Sequence, residues 1–135
     1  MTAAPLPFVD TNVLLCLLSP DEAKADRAEA LLARRIVISV QVLNEFTNVA
    51  RRKLGLDWPA VEQALLDVQR FADVRPLTVG TQRAGVALAK RYQLSIHDAM
   101  IAAAALEAGC TMLASEDFSD GQCFERRLTI RNPFS

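Results

Sequence analysis

The feature that most constrains the fold is a regular alternation of short apolar segments with longer segments of helical composition. The β-branched run Ile36–Ile38 is typical of a buried strand, and Ser39 after it is a good N-cap for a helix that ends near Gly55. The alternation also predicts strands over residues 6–9, 74–77, 111–114 and 128–130, and helices over 11–18, 21–34, 58–71, 80–92 and 96–108. We therefore expect an α/β fold, a three-layer α/β/α sandwich with a central, mostly parallel sheet.

The length and composition fit one domain over residues 1–135. The chain is 51% hydrophobic, and a chain of this size buries roughly two thirds of its unfolded surface. The apolar stretch Ala99–Leu106 is far shorter than the roughly 20 residues that span a bilayer, and Val13–Leu18 is too short for a signal peptide. We expect a cytoplasmic protein without a membrane segment, whose three cysteines are buried, reduced thiols: Cys16, Cys110 and Cys123.

The charge balance excludes a protein that binds nucleic acid through overall positive charge. The net charge is -1, so any contact with RNA must be local. Four short basic patches are candidates, although solvated helix ends and faces are the better explanation of each one taken alone: Arg34–Arg35, Arg51–Lys53, Lys90–Arg91 and Arg126–Arg127. Phe46, Trp58 and Phe118 could stack on bases, but aromatic residues at helical spacing are more often in the core.

Four acidic residues occupy similar places in the predicted elements. Asp10 and Asp117 follow strands, while Glu45 and Asp98 lie near the beginnings of helices. Because ligands bind beyond the carboxyl ends of parallel strands, all four could converge on one rim. Each acid alone also has an ordinary explanation as a turn, surface or loop residue, and Asp98 could form a capping box with Ser95.

Carboxylates gathered in one place destabilise a protein unless a cation neutralises them. Two of them about 4 Å apart repel by roughly 4 kcal/mol at an effective dielectric constant near 20. Without metal we expect this repulsion to raise their pKa values. Oxygen ligands alone favour Mg²⁺ (or Mn²⁺) over zinc, which suits phosphodiester hydrolysis by a metal-activated water. The presence of only one histidine, His97, disfavours cleavage by paired histidines, and we expect this residue to lie outside the site.

Four short motifs, in order, resemble those of PIN domains, and in particular the VapC toxins of bacterial toxin–antitoxin pairs. They are Phe8–Asn12, Ser39–Phe46, Leu94–Ala103 and Leu113–Phe118, and together they span nearly the whole chain. By this resemblance the fold is PIN-like. The resemblance implies that the metal-binding and catalytic residues are Asp10, Glu45, Asp98 and Asp117.

The resemblance also implies supporting roles at the same site for Asn12, Ser115 and Glu116. One departure from the family is Ser115, which stands where Thr is usual. Another is Glu116, which adds an acid beside Asp117. Either Glu116 or Asp117 could therefore face the metal.

The activity implied is that of a metal-dependent endoribonuclease, the toxin of a type II toxin–antitoxin system. Its expected partners are an RNA substrate, a cognate antitoxin and a second copy in a homodimer. The alternative is a catalytically inactive PIN-like module that binds RNA or protein. A phosphoryl-accepting receiver or phosphatase fits poorly, because Asn12 stands where phosphatases repeat an acid and no lysine follows the late strands.

Overall fold

The computed structural model describes residues 5–134, which form six strands and six α-helices. The strands are β1 (Phe8–Val9), β2 (Ile36–Ser39), β3 (Ala72–Arg75), β4 (Met112–Ala114), β5 (Cys123–Phe124) and β6 (Leu128–Arg131). The helices are α1 (Thr11–Leu15), α2 (Glu22–Leu32), α3 (Val40–Arg52), α4 (Trp58–Phe71), α5 (Val79–Tyr92) and α6 (Ile96–Glu107). A short 3₁₀ helix, Cys16–Leu18, continues α1, so the helix expected over residues 11–18 has two parts.

The strands form one sheet in the order β3-β2-β1-β4-β6-β5. Neighbouring strands are parallel except for β5, which runs antiparallel to β6 at the edge. The chain runs outward from β1 through β2 to β3 and then crosses to the other side of β1 to form β4. The direction of winding therefore reverses between β1 and β4, and such a switch point leaves a crevice at the carboxyl edge of the sheet.

Two groups of helices pack with this sheet and complete the three-layer α/β/α sandwich. In one group α6 contacts β2, β6 and α5, and in the other α3 contacts β2, α1 and α4. The strands are buried between them, with Phe8, Ile38 and Leu113 fully inaccessible to solvent. In α6 the buried residues include the run Ala102–Ala105, whose small side chains allow a close approach to neighbouring elements. Within residues 5–134, no helix combines the length and apolarity needed to cross a membrane.

Two differences from the expected strands have local causes. The third strand is Ala72–Arg75 rather than residues 74–77, because Pro76 has no N–H to donate to the sheet. The edge strand β5 was not expected at all. It is joined to β6 through Glu125 and Arg126, which both adopt positive φ angles of 52° and 56°, without the Asn or Gly that usually marks such a turn.

The predicted burial of the cysteine and aromatic residues is correct only in part. Cys16 and Cys110 are buried, but Cys123 is exposed. Its neighbour Phe124 faces the core, and because side chains alternate along a strand, Cys123 faces outward. Among the aromatic residues, Phe46 and Phe118 lie in the core; Trp58 is 53% exposed at the start of α4.

Gly85 lies where α5 packs against α6, and this contact generates a prediction for stability. A Cβ at this position would stand 2.5 Å from Met100 Sδ and 3.3 Å from its Cγ. We expect Gly85→Ala to lower the free energy of unfolding by about 1 kcal/mol, measured by urea denaturation. The strain of overpacking, about 1 to 3 kcal/mol, exceeds the gain in helix propensity of about 1 kcal/mol.

Gly80→Ala is the matched control in the same helix, because its Cβ would meet only Thr78 Oγ1, at 3.5 Å. This variant should lose no stability. In a Met100→Ala background, where the obstructing side chain is absent, Gly85→Ala should instead raise the free energy of unfolding. An equal loss in both backgrounds would contradict the packing explanation.

Candidate functional site

Asp10 lies at the carboxyl end of β1, beside β4, and is the N-cap of α1. Its Oδ1 accepts a hydrogen bond from the Thr11 N–H at 2.7 Å, and its Oδ2 accepts one from the Ser115 hydroxyl at 2.8 Å. The residue is only 2% exposed. The first predicted acid is thus held, nearly buried, at the switch point of the sheet.

Ser115 joins the segment after β4 to the segment after β1. Besides donating to Asp10, its buried Oγ accepts hydrogen bonds from the Asp117 N–H at 3.0 Å and from Asn12 Nδ2 at 3.4 Å. In return, Asn12 Oδ1 accepts one from the Glu116 N–H at 3.2 Å. Residues more than 100 positions apart in sequence therefore form one hydrogen-bonded network, which contains all three predicted supporting residues.

The electrostatics of the site are clearest at Asp10. Burial raises the pKa of Asp10 from 3.8 to about 6, while the bonds from Ser115 and Thr11 act in the opposite direction. The charges of Asp117 and Glu45 also contribute to this rise. Repulsion between the acids therefore contributes in the expected direction, but removal of the carboxylate from water is the larger cause.

Glu45 lies on α3, where a neighbouring helix holds its carboxylate. Its Oε1 lies 2.8 Å from His97 Nε2 on α6 and 3.4 Å from Gln41 Nε2, one turn earlier on α3. Gln41 Nε2 also lies 3.1 Å from the His97 carbonyl oxygen and 3.2 Å from its Nδ1. With its proton on Nε2, the imidazole can donate to Glu45 and accept at Nδ1, while the two hydrogens of Gln41 Nε2 are shared among three acceptors.

These contacts involve two residues that the sequence analysis did not place at the site. Gln41 precedes Glu45 by four residues, a spacing that puts two side chains on one face of a helix and could have identified it. The His97 side chain is 47% exposed, yet it contacts Glu45 directly. No pattern near His97 indicates this contact, because it depends on how α6 lies against α3.

Asp98 lies in the first turn of α6 and is half-buried. Ser95 caps the helix, its Oγ accepting from the Asp98 N–H at 3.1 Å. Thr78 and Thr81 form a complete capping box at α5, but no reciprocal bond from the Asp98 carboxylate to Ser95 exists in the described chain. Capping therefore uses the Asp98 backbone and leaves its carboxylate available.

Glu116 and Asp117 have different surroundings. Glu116 Oε2 lies 3.6 Å from Lys24 Nζ, and its Oε1 accepts a hydrogen bond from Cys16 Sγ at 3.7 Å. Asp117 forms no ion pair with any Lys or Arg among the described residues, and its charge acts on Asp10. Glu116 thus lies beside a cation, whereas Asp117 has no cationic partner among the described residues and its charge raises the pKa of Asp10.

The structure brings Asp10, Ser115 and Asp117 together with Asn12 and places Glu45 within electrostatic range of Asp10. It shows no contact between the Asp98 carboxylate and this group. As the side chains stand, residues 5–134 contain no cluster of three or more His, Cys, Asp or Glu residues arranged to hold a metal ion.

The chemistry of these donors nevertheless suits a hard divalent cation. Carboxylate oxygens are the ligands that such ions prefer. None of the four predicted acids is ion-paired with a Lys or Arg within the described range. Two buried hydroxyls in the same part of the fold, those of Thr11 beside Asp10 and Ser39 at the end of β2, have no hydrogen-bond partner in this part of the chain. Unsatisfied oxygens and unpaired carboxylates are thus present at the same edge of the sheet.

Comparison with known proteins identifies both a family and a fold. The family model described as PIN domain matches residues 8–119. The structure of VapC20 from Mycobacterium tuberculosis, described as a sarcin-ricin loop cleaving toxin, is 22% identical with a TM-score of 0.68; the alignment covers 82% of this chain and 91% of that chain. No curated protein sequence matches the chain.

Two further solved structures cover nearly the whole chain. A toxin–antitoxin complex from Klebsiella pneumoniae is 20% identical with a TM-score of 0.72, covering 97% of this chain and 98% of that chain. FitAcB from Neisseria gonorrhoeae is 21% identical with a TM-score of 0.67, covering 96% and 99%. At this level of identity, the likenesses establish a shared fold.

The raised pKa of Asp10 generates a prediction for the metal-free protein. The folded protein binds the Asp10 proton more tightly than the unfolded chain does. The contribution of this proton to the free energy of unfolding is therefore fully present below about pH 4 and is lost as the pH rises through about 6. At about pH 8 the ionised carboxylate destabilises the fold by about 3 kcal/mol. We expect Asp10→Asn, which removes this charge, to raise the free energy of unfolding at that pH by about 2 kcal/mol. The gain is smaller than the full cost of the charge because the amide nitrogen cannot accept the Ser115 hydrogen bond.

Urea denaturation in EDTA at about pH 8 and pH 4.5 measures this effect, which should be much smaller at the lower pH. Asp26→Asn, on the exposed side of α2, is the control and should change stability little at either pH. An Asp10→Asn gain that did not depend on pH would show that the carboxylate charge is not the cause.

Proposed function

We propose that this chain, which belongs to the PIN domain family, is a divalent-metal-dependent endoribonuclease and the toxin of a type II toxin–antitoxin system. The observation that carries the proposal is the buried Asp10 carboxylate at the switch point of the sheet, with Asp117 and Glu45 adding negative charge near it that no Lys or Arg of residues 5–134 neutralises. A protein tolerates such an arrangement when the charge is used for binding a cation.

The residues that would hold the ion, Mg²⁺ or Mn²⁺, are Asp10, Glu45, Asp98 and Asp117. When bound, such an ion makes water a stronger nucleophile and offsets the charge of a phosphodiester. Of the two adjacent acids we assign Asp117 to this set, because the Glu116 carboxylate is occupied by Lys24 and Cys16. Glu116 instead helps to hold the segment after β4 through its N–H bond to Asn12.

The other residues of the site orient these acids. Ser115 and the Thr11 N–H hold one carboxylate oxygen each of Asp10, so the carboxylate has little rotational freedom. His97 and Gln41 restrict Glu45 in the same way from two helices. Fixed ligands need less reorganisation when they bind an ion or a phosphate, and this is the advantage that the networks provide.

The relatives support the substrate and partner classes. VapC20 is described as a toxin that cleaves the sarcin-ricin loop, and the Klebsiella pneumoniae structure is a toxin–antitoxin complex. By analogy we propose that this chain cleaves RNA and that a cognate antitoxin restrains it. We further propose, from the resemblance of its four motifs to those of PIN domains, that it acts as a homodimer in the cytoplasm with residues 1–135 as one domain.

The alternative is a catalytically inactive PIN-like module that binds RNA or protein. One observation favours it: among residues 5–134 the side chains as they stand do not form a cluster that could hold a metal ion. Ion binding would require the less restricted carboxylates to rotate, and this requirement can be tested.

Thermal unfolding with increasing Mg²⁺ or Mn²⁺ distinguishes the two functions. A site that binds only the folded protein stabilises it by about 2.7 kcal/mol when the free ion is at 100 times its dissociation constant. We expect wild-type protein to melt at increasing temperature with increasing ion concentration, and Asp10→Asn to lose most of this increase. Equal responses of the two proteins would place any binding elsewhere and favour the inactive module.

The two adjacent acids provide a test of the site itself. With Mn²⁺ or Mg²⁺ present, we expect Asp117→Asn to reduce the rate of RNA cleavage at least about a hundredfold, because it removes a proposed ion ligand. Asp98→Asn should behave similarly. Glu116→Gln is the matched control and should retain most activity, since the charge it removes is already paired with Lys24.

Cleavage is measured on a single-stranded RNA under single-turnover conditions, with circular dichroism to verify folding. Full activity of Asp117→Asn together with loss in Glu116→Gln would reverse the assignment of the fourth acid. Undiminished cleavage by both Asp98→Asn and Asp117→Asn would contradict the proposed active site.

A further inference from the structure

A second polar surface lies along α3 beyond Glu45, and the proposed catalytic site does not use it. We call it the α3 platform, and it is lined by Asn44, Thr47, Asn48, Arg51, Arg52 and Trp58. The first five of these residues follow one another at helical spacing on α3, and therefore lie on one side of the helix, while Trp58 begins α4.

Trp58 is the most unusual residue of the platform. The residue is 53% exposed, although large aromatic residues are seldom left so accessible. The Arg51 guanidinium lies 4.5 Å from the ring centroid, and Arg51 Nη1 donates to the Leu56 carbonyl oxygen at 3.0 Å. Arg51 thus covers part of the indole and holds it in place. An exposed indole held in this way is suited to stacking on an unpaired base.

The platform is also locally positive in a chain of net charge -1. No acidic residue lines it. Arg52 and the adjacent Lys53 are exposed, and within the described part of the chain neither forms an ion pair. This charge complements the phosphates of a nucleic acid and is available without breaking an existing ion pair.

The helix itself connects the platform to the candidate site. Glu45 and Arg52 are seven residues apart on α3, which is two turns or roughly 10 Å, so both lie on the same side of the helix. Asn48 lies between them, is exposed, and offers an amide that can donate and accept hydrogen bonds. A strand bound on the platform would therefore extend toward the carboxylates.

We propose that the α3 platform binds single-stranded RNA next to the cleavage site, with a base stacked on Trp58 and a phosphate bound by Arg52. This inference rests on the proposed ribonuclease function and specifies how its substrate is held. Because stacking and phosphate contacts do not read base identity, the platform provides affinity and position with little sequence preference.

The test measures binding without cleavage. A fluorescein-labelled single-stranded RNA of about ten nucleotides is titrated in EDTA and followed by fluorescence anisotropy, at several salt concentrations. We expect Trp58→Ala to weaken binding about five- to a hundredfold, and Trp58→Phe to retain most of the affinity because it keeps an aromatic face. Arg52→Ala should make the negative slope of log affinity against log salt less steep by about 0.7.

Arg83→Ala is the matched control, because Arg83 is an exposed cation on α5 that does not line the platform. It should bind RNA as wild type does, and urea denaturation should show that all variants are folded. Equal affinity of wild type and Trp58→Ala would overturn the proposal. So would an equal loss in Arg83→Ala, a preference for duplex RNA, or binding of an acidic peptide in place of RNA.

Cleavage assays separate this inference from the proposed function. If both are correct, Trp58→Ala raises KM with little change in kcat, whereas Asp117→Asn abolishes cleavage and still binds RNA in EDTA. A wild-type protein that binds RNA through Trp58 but never cleaves it supports the platform and contradicts the nuclease. One that cleaves RNA equally well with and without Trp58 contradicts the platform alone.

Discussion

The hydrogen bond from the Ser115 hydroxyl to the Asp10 carboxylate is the interaction on which the candidate site depends. It joins the ends of β1 and β4, the two strands between which the winding of the sheet reverses. Through the same hydroxyl it orders the Asp117 backbone, and through Asn12 it orders the Glu116 backbone. The two neighbouring acids have different surroundings: Glu116 lies beside Lys24, whereas no Lys or Arg of residues 5–134 pairs with Asp117, whose charge raises the pKa of Asp10.

Burial of Asp10 costs stability, and the proposed function gives a reason for this cost. The fold removes a carboxylate from water, and its pKa rises to about 6 because two hydrogen bonds replace the lost hydration only in part. An apolar residue at this position would lack that penalty, but it could not supply the oxygen ligand that the proposed function requires at the switch point between β1 and β4. The core next to Asp10, including Phe8 and Leu113, is apolar and fully buried.

Helix α3 connects the two surfaces that the proposals use. Its first half carries Gln41 and Glu45, which contact α6 through His97, and its second half carries the arginines that border Trp58. The inward side of the same helix, with Val42, Phe46 and Ala50, is buried against the core. Because packing fixes the orientation of that side, the opposite, polar side of the helix is fixed as well. Glu45 and Arg52, two turns apart, therefore keep a constant spacing along it.

The sequence by itself determined the alternation of elements, the mostly parallel sheet, the Ser95 cap and the positions of Asp10, Ser115 and Asp117 after strands, because these depend on periodicity and on residues a few positions apart. It did not predict β5, the contact of His97 with Glu45, the exposure of Cys123 and Trp58, or the different partners of Glu116 and Asp117. Only the tertiary structure decided these features. Each depends on which side chains approach from segments distant in sequence, or on backbone angles such as those of Glu125 and Arg126 that no turn residue indicates.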